Sequence, residues 1–193
     1  NVPSSRRFTL LKSNASEVGR LNASHLVYGT MTKTDMAIYR LRETYAEIKN
    51  TFNVRPFVLS SLHPNVGQAI EVISGYWKRG YSCAIDGFVP HLREDEYTWD
   101  DSIRYSLPGC NVIGGTSGSP VVASGTRTVI GVNNTINENN RQCSINNPCE
   151  IDAGGNITHR WNVGYAQQTY WLYTCLNATN DLDLNMTGCL LAH

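Results

Sequence analysis

The chain has 193 residues, and its 16 Lys+Arg offset its 16 Asp+Glu to a formal net charge of zero. With 41% hydrophobic and only 17% charged residues it is not a disordered or solvating chain. Neutrality removes the electrostatic reason to expect nucleic acid or an anionic membrane as partner. No apolar run reaches the ~18–20 residues of a spanning helix, so a soluble globular protein is expected.

Taken in chain order, short β-prone runs recur between clusters of Gly, Asn, Ser and Pro. They are Arg7–Leu11, His25–Thr30, Met36–Leu41, Phe57–Ser60, Gln68–Trp77, Ser82–Leu92, Ile103–Leu107, Pro120–Ala123 and Thr128–Asn133. This spacing predicts an all-β sandwich or barrel. Ala69-Ile70-Glu71-Val72-Ile73 alternates as a half-buried strand should. Arg93–Asp101 reads as an exposed hairpin tip, and Asn137–Asp152 as a loop stapled by two cysteines. Val163–Leu176 places Tyr165, Thr169, Leu172 and Leu176 at helical spacing, which predicts a terminal helix.

The six cysteines suit an oxidising compartment. Several pairings are open to them, and proximity suggests Cys83–Cys110, Cys143–Cys149 and Cys175–Cys189. No Cys-x-x-Cys occurs and no His stands at ligand spacing from a Cys pair, so neither metal nor cofactor is expected. Asp181, Asp183 and Asn185 form D-x-D-x-N, but the Gly and closing Glu of an EF-hand are missing, and a solvated turn is expected. Sequons at Asn14, Asn22, Asn133, Asn156, Asn177 and Asn185 fit a secreted glycoprotein, although a chain rich in Asn and Thr produces such triplets by chance.

The segment that carries chemistry is Asn111–Val122, NVIGGTSGSPVV. Glycines around Ser117 allow a tight turn that aims main-chain N–H groups inward and leaves room for a substrate carbonyl. A G-x-S-x-G elbow of the α/β-hydrolase kind requires a strand–turn–helix, whereas Pro120-Val121-Val122 continues as strand, and the fifth position is Ser119 rather than Gly.

GGTSGSPVV followed by TVIGVNN resembles the nucleophile loop and next strand of chymotrypsin-like serine proteases, particularly their bacterial branches. KTDMAIYRL (Lys33–Leu41) is similar to the family's strand that opens with the triad Asp. The resemblance implies Ser117 as nucleophile, an oxyanion hole from the N–H groups of Gly115 and Ser117, and Asp35 as the carboxylate that orients a catalytic imidazole. It also implies a substrate pocket walled by Asn111, Val112 and Ile113 on one side and by Asn133, Asn134 and Thr135 on the other. With Asn111 where trypsin-like members place an acid, a preference for Lys or Arg at P1 is not implied. A glycan on Asn133 would block that pocket, so Asn133 is expected to be bare. Thr116 stands where the animal enzymes carry the Asp that pairs with a new N-terminus on activation.

The family's imidazole lies well upstream of its Asp, and only 34 residues precede Asp35. His25 is too close to Asp35. His63, His91 and His159 read as loop or solvated residues, and His193 as the terminus. The expectation is therefore two six-stranded antiparallel barrels of the trypsin-like type, the first only partly supplied, with a C-terminal helix. Residues 1–56 would carry Asp35, 57–162 would form the second barrel with Ser117, and 163–193 the helix and disulfide-closed tail. A companion N-terminal chain would complete the first barrel and bring the His. The expected activity is that of a secreted serine endopeptidase on polypeptide substrates. The alternative is an inactive homologue acting as a binding module.

Overall fold

In the computed structural model, which describes residues 1–192, the chain divides into two units. One comprises residues 1–30 and 36–57, the other residues 31–35 and everything from Val58 onward. The first holds four strands, β1 (Val2–Pro3), β2 (Arg7–Leu11), β3 (Glu17–Thr30) and β4 (Met36–Leu41), and one helix, α1 (Tyr45–Phe52). The long β3 is its spine: β1 and β2 pair along one side and β4 along the other, giving an open antiparallel sheet. Leu21, Ala23, Tyr28, Met36 and Ile48 are buried.

Helix α1 was not expected, yet its start is written in the chain. Thr44 accepts from the Glu47 amide, and the Glu47 carboxylate accepts from the Thr44 amide at 2.8 Å, a reciprocal capping box. Asn53 ends the helix in the left-handed region at φ 52°.

The second unit carries β5 (Val58–Leu59), β6 (Ala69–Ser74), β7 (Arg79–Glu94), β8 (Tyr97–Tyr105), β9 (Pro120–Ala123), β10 (Thr128–Ile136), β11 (Cys149–Ile151), β12 (Ile157–Thr158) and β13 (Gly164–Gln168). Six of these close on themselves. β7 pairs β6, β6 pairs β9, β9 pairs β10, β10 pairs β13, β13 pairs β8, and β8 returns to β7, all antiparallel. Closure leaves no free edge in the ring, and inward residues fill it. Ile70, Val72, Tyr81, Ile85, Ile103, Tyr105, Val112, Val121 and Ile130 form that interior. Val89, Leu92, Trp99, Val163 and Tyr165 make a second cluster.

Three expectations are corrected. Val163–Leu176 is not one helix: Gly164–Gln168 is the strand that closes the barrel, and only Tyr170–Cys175 turns as a short 3-10 helix. All five residues of β13 are buried, so the period-2 alternation that marks a half-exposed strand is absent. The barrel therefore runs past residue 162. Arg93–Asp101 is an exposed tip only in part: β7 and β8 form a hairpin that turns at exposed Asp95 and Glu96, but the range runs on into β8, where Trp99 is 2% exposed. Finally, Asp35 belongs to the barrel unit and not to the unit built from most of residues 1–56.

The three disulfides are Cys83–Cys110, Cys143–Cys149 and Cys175–Cys189, as proximity suggested. Within the last loop, Thr179 donates to Asp181, and the Asn185 amide donates to Asp183, so the D-x-D-x-N run is an internally bonded turn. No helix among the described residues is long and apolar enough to cross a membrane.

Candidate active site

The loop bearing Ser117 leaves the barrel at Cys110, whose amide donates to Ser82 O and whose sulfur is tied to Cys83. Val112 is 1% exposed in the barrel interior, while Asn111 and Ile113 point outward. The expected pocket wall thus splits, with Val112 anchoring the loop and its neighbours facing solvent. The chain then turns: both the amide and the hydroxyl of Thr116 donate to Ile113 O, at 3.0 and 2.7 Å, and the Ser119 amide donates to Thr116 O. Two further main-chain bonds, Gly118 N–H to Asn133 O and Asn133 N–H to Ser119 O, both 2.8 Å, sew the turn to β10.

Gly115 sits in this turn at φ +88°, a region that side chains resist, and the Tyr76 and Trp77 rings lie 3.2 Å from where a Cβ would stand. Ser117 is exposed, and its hydroxyl donates to Asn134 O at 2.9 Å. Among the described residues the N–H groups of Gly115 and Ser117 have no internal acceptor.

Asn133 is buried, and both ends of its amide are used. Its Oδ1 accepts from the Tyr105 hydroxyl at 2.9 Å and its Nδ2 donates to Thr116 Oγ1 at 3.1 Å. The Asn133 side chain thereby clamps the Ser117 loop to the barrel interior. Asn134, also buried, keeps Nδ2 without a partner. Thr135 donates its hydroxyl to Glu94, whose other oxygen accepts from the Asn146 amide at 3.0 Å.

Asp35 reaches the barrel on the strap of residues 31–35. The Lys33 amide donates to Thr98 O, the Asp100 amide to Lys33 O, and the Trp99 indole to Met31 O, so the strap lies along β8. The Asp35 amide donates to the buried Gln167 side chain at 3.2 Å. Burial, reinforced by the negative Glu94, pushes the Asp35 carboxyl up to about 6.

The histidines stand elsewhere. His25 lies in β3 with Nδ1 buried and unpartnered. His63 donates from Nδ1 to Pro64 O, has Nε2 3.3 Å from Asp101, and packs against Phe88. His91 lies 2.7 Å from Asp100, His159 is exposed, and His193 is outside the described residues. Among the described residues, no imidazole hydrogen-bonds Ser117 or Asp35.

A closed antiparallel barrel with a glycine-flanked, solvent-facing serine on one loop defines the class as an all-β barrel protein. No family model and no curated protein matches the sequence. The structure is similar to the inactive form of the Rv3671c protease, at 15% identity and TM-score 0.49, over 78% of this chain and 63% of that one. It is also similar to an inactive mutant form of Rv3671c from M. tuberculosis H37Rv (13% identity, TM-score 0.47, 78% of this chain and 61% of that). A further match is Cellulomonas bogoriensis chymotrypsin (17% identity, TM-score 0.45, 78% and 68%). The chain spans about three-fifths of the length of the Rv3671c chains.

Proposed function

We propose that this chain is the Ser- and Asp-bearing part of a secreted serine endopeptidase. The observation that carries the reading is Ser117 itself: an exposed hydroxyl on a loop fixed by main-chain and side-chain hydrogen bonds, next to two main-chain N–H groups without acceptors among the described residues. Ser117 Oγ attacks the scissile carbonyl carbon and passes its proton to an imidazole. The N–H groups of Gly115 and Ser117 hold the oxyanion. Collapse of that intermediate breaks the C–N bond, the imidazole returns the proton to the leaving amine, and water then hydrolyses the Ser117 ester. Asp35 orients the imidazole and stabilises its cation; a positive neighbour in turn favours the ionised form of Asp35. The histidine comes from a companion N-terminal segment. Asn111 and Ile113 on one side and Asn134 and Thr135 on the other border the P1 side chain. The three disulfides support an extracellular setting.

A fluorophosphonate probe tests this on the native protein. Covalent labelling at Ser117, abolished by Ser117→Ala, is the expected outcome. Folded native protein that resists the probe would instead favour a binding module, the second reading, which rests on the Ser117 hydroxyl being bonded to Asn134 O and, among the described residues, to no imidazole.

A further inference from the structure

We infer that Trp77 is a positioning residue for the oxyanion hole: its indole N–H holds the Gly114–Gly115 peptide so that the Gly115 N–H faces the substrate side. The inference rests on the endopeptidase reading. The turn between β6 and β7 projects Tyr76 and Trp77 onto the nucleophile loop, and the Trp77 Nε1–H donates to Gly114 O at 2.9 Å. In a trans peptide the C=O and N–H point in opposite directions. Fixing the Gly114 carbonyl toward Trp77 therefore turns the Gly115 N–H away from it. Rotation of this one peptide by half a turn would exchange the two groups and present a carbonyl oxygen to a developing negative charge.

Little else resists that rotation. The peptide lies between two glycines, the residues with the widest conformational freedom, and among the described residues the Gly115 N–H has no internal acceptor to hold it. The indole is partly exposed, at 44%, and is held from its hairpin. The Trp77 amide donates to Ser74 Oγ at 3.2 Å, its ring meets Tyr76 edge-on with centroids 5.0 Å apart, and Ser74 pairs with Arg79 to fix the hairpin. Trp77 touches no reacting atom; it acts through the Gly114 carbonyl.

Trp77→Phe keeps an aromatic six-membered ring and removes the donor together with the five-membered ring of the indole. In the complete protein, kcat on a peptide amide is expected to fall about tenfold or more, approaching the loss of a whole oxyanion donor, with KM within about twofold. Trp161→Phe, which removes an indole bonded to Glu138 O, serves as the control and should leave kcat unchanged. Unchanged kcat in Trp77→Phe, with active wild type, overturns the inference and leaves the endopeptidase reading standing. Wild type that neither turns over substrate nor takes the probe overturns that reading, and the inference with it. A second measurement needs no variant: a crystal structure of wild type phosphonylated at Ser117. The phosphonyl oxygen should accept from the Gly115 N–H while the Gly114 carbonyl remains on Trp77. An oxygen held by other donors with the Trp77 bond intact overturns the inference.

Discussion

Replacing Asn133 by Ala should damage stability and chemistry together, because one side chain links the barrel interior to the Ser117 loop. The substitution removes the acceptor of the Tyr105 hydroxyl, in a residue 2% exposed, and a donor to Thr116 Oγ1. An orphaned buried hydroxyl costs about 1–3 kcal/mol, and the space left by the amide adds to it, so about 2–4 kcal/mol is expected. For a chain of this size each kcal/mol moves Tm by about 2–4 °C, which gives a fall of about 5–15 °C. Urea denaturation followed by tryptophan fluorescence gives the free energy directly. Tyr105→Phe alone leaves Asn133 Oδ1 unpaired and should cost about 1–3 kcal/mol, while the double variant should cost less than the sum by about 1–2 kcal/mol. Single effects that add to within about 0.3 kcal/mol would refute the claim that the two side chains act as a bonded pair.

The Asp35 carboxyl, raised to about 6 from 3.8, makes the folded state hold a proton that the unfolded chain releases. Stability is therefore favoured below pH 3.8, falls between pH 3.8 and 6, and stays lower above. Asp35→Asn should remove that decline and stabilise the chain at pH 7 by about 1–2 kcal/mol after allowance for partial exposure, read by urea titrations across this range. Arg104 bonds Asp86 at 2.6 Å and the buried Glu150 at 2.7 Å, and Glu150 also accepts from Tyr165. Arg160 also lies 3.3 Å from Glu150 and still pairs with it when Arg104 is lost, so Arg104→Ala should cost about 1–3 kcal/mol by urea denaturation, and the Arg104→Ala/Arg160→Ala double variant should cost more than the sum of the two single variants. Peptide mapping of the native protein should find Asn133 unglycosylated, because its Nδ2 is committed to Thr116 within the folded barrel.

Much of the β architecture was legible from local pattern. Arg7–Leu11, Met36–Leu41 and Pro120–Ala123 were read with the bounds they have, and neighbouring cysteines paired as their spacing suggested. Elements buried on all sides were not. Gly164–Gln168 has no exposed face, so nothing in its polarity marks it as strand, and a run of Tyr and Leu at helical intervals misleads. Helix α1 carries its own signal, the Thr44–Glu47 capping box, but at 8 residues it is too short for helical periodicity to stand out. At the candidate site, Ser117 was visible because glycines announce the turn. The partners that hold it were not, since Tyr105, Asn133 and Trp77 reach the loop only through long-range closure of the barrel.

The strap of residues 31–35 also bears on how the chain comes apart. Asp35 is joined in sequence to β4, but its main-chain bonds and those of Lys33 go to the barrel unit. In hydrogen exchange the Lys33 and Asp100 amides should therefore open with the barrel's cooperative unit and not with β3 and β4. A protease nick between β4 and β5 would leave this segment seated. The carboxylate nearest in sequence to one unit thus persists for as long as the other one does.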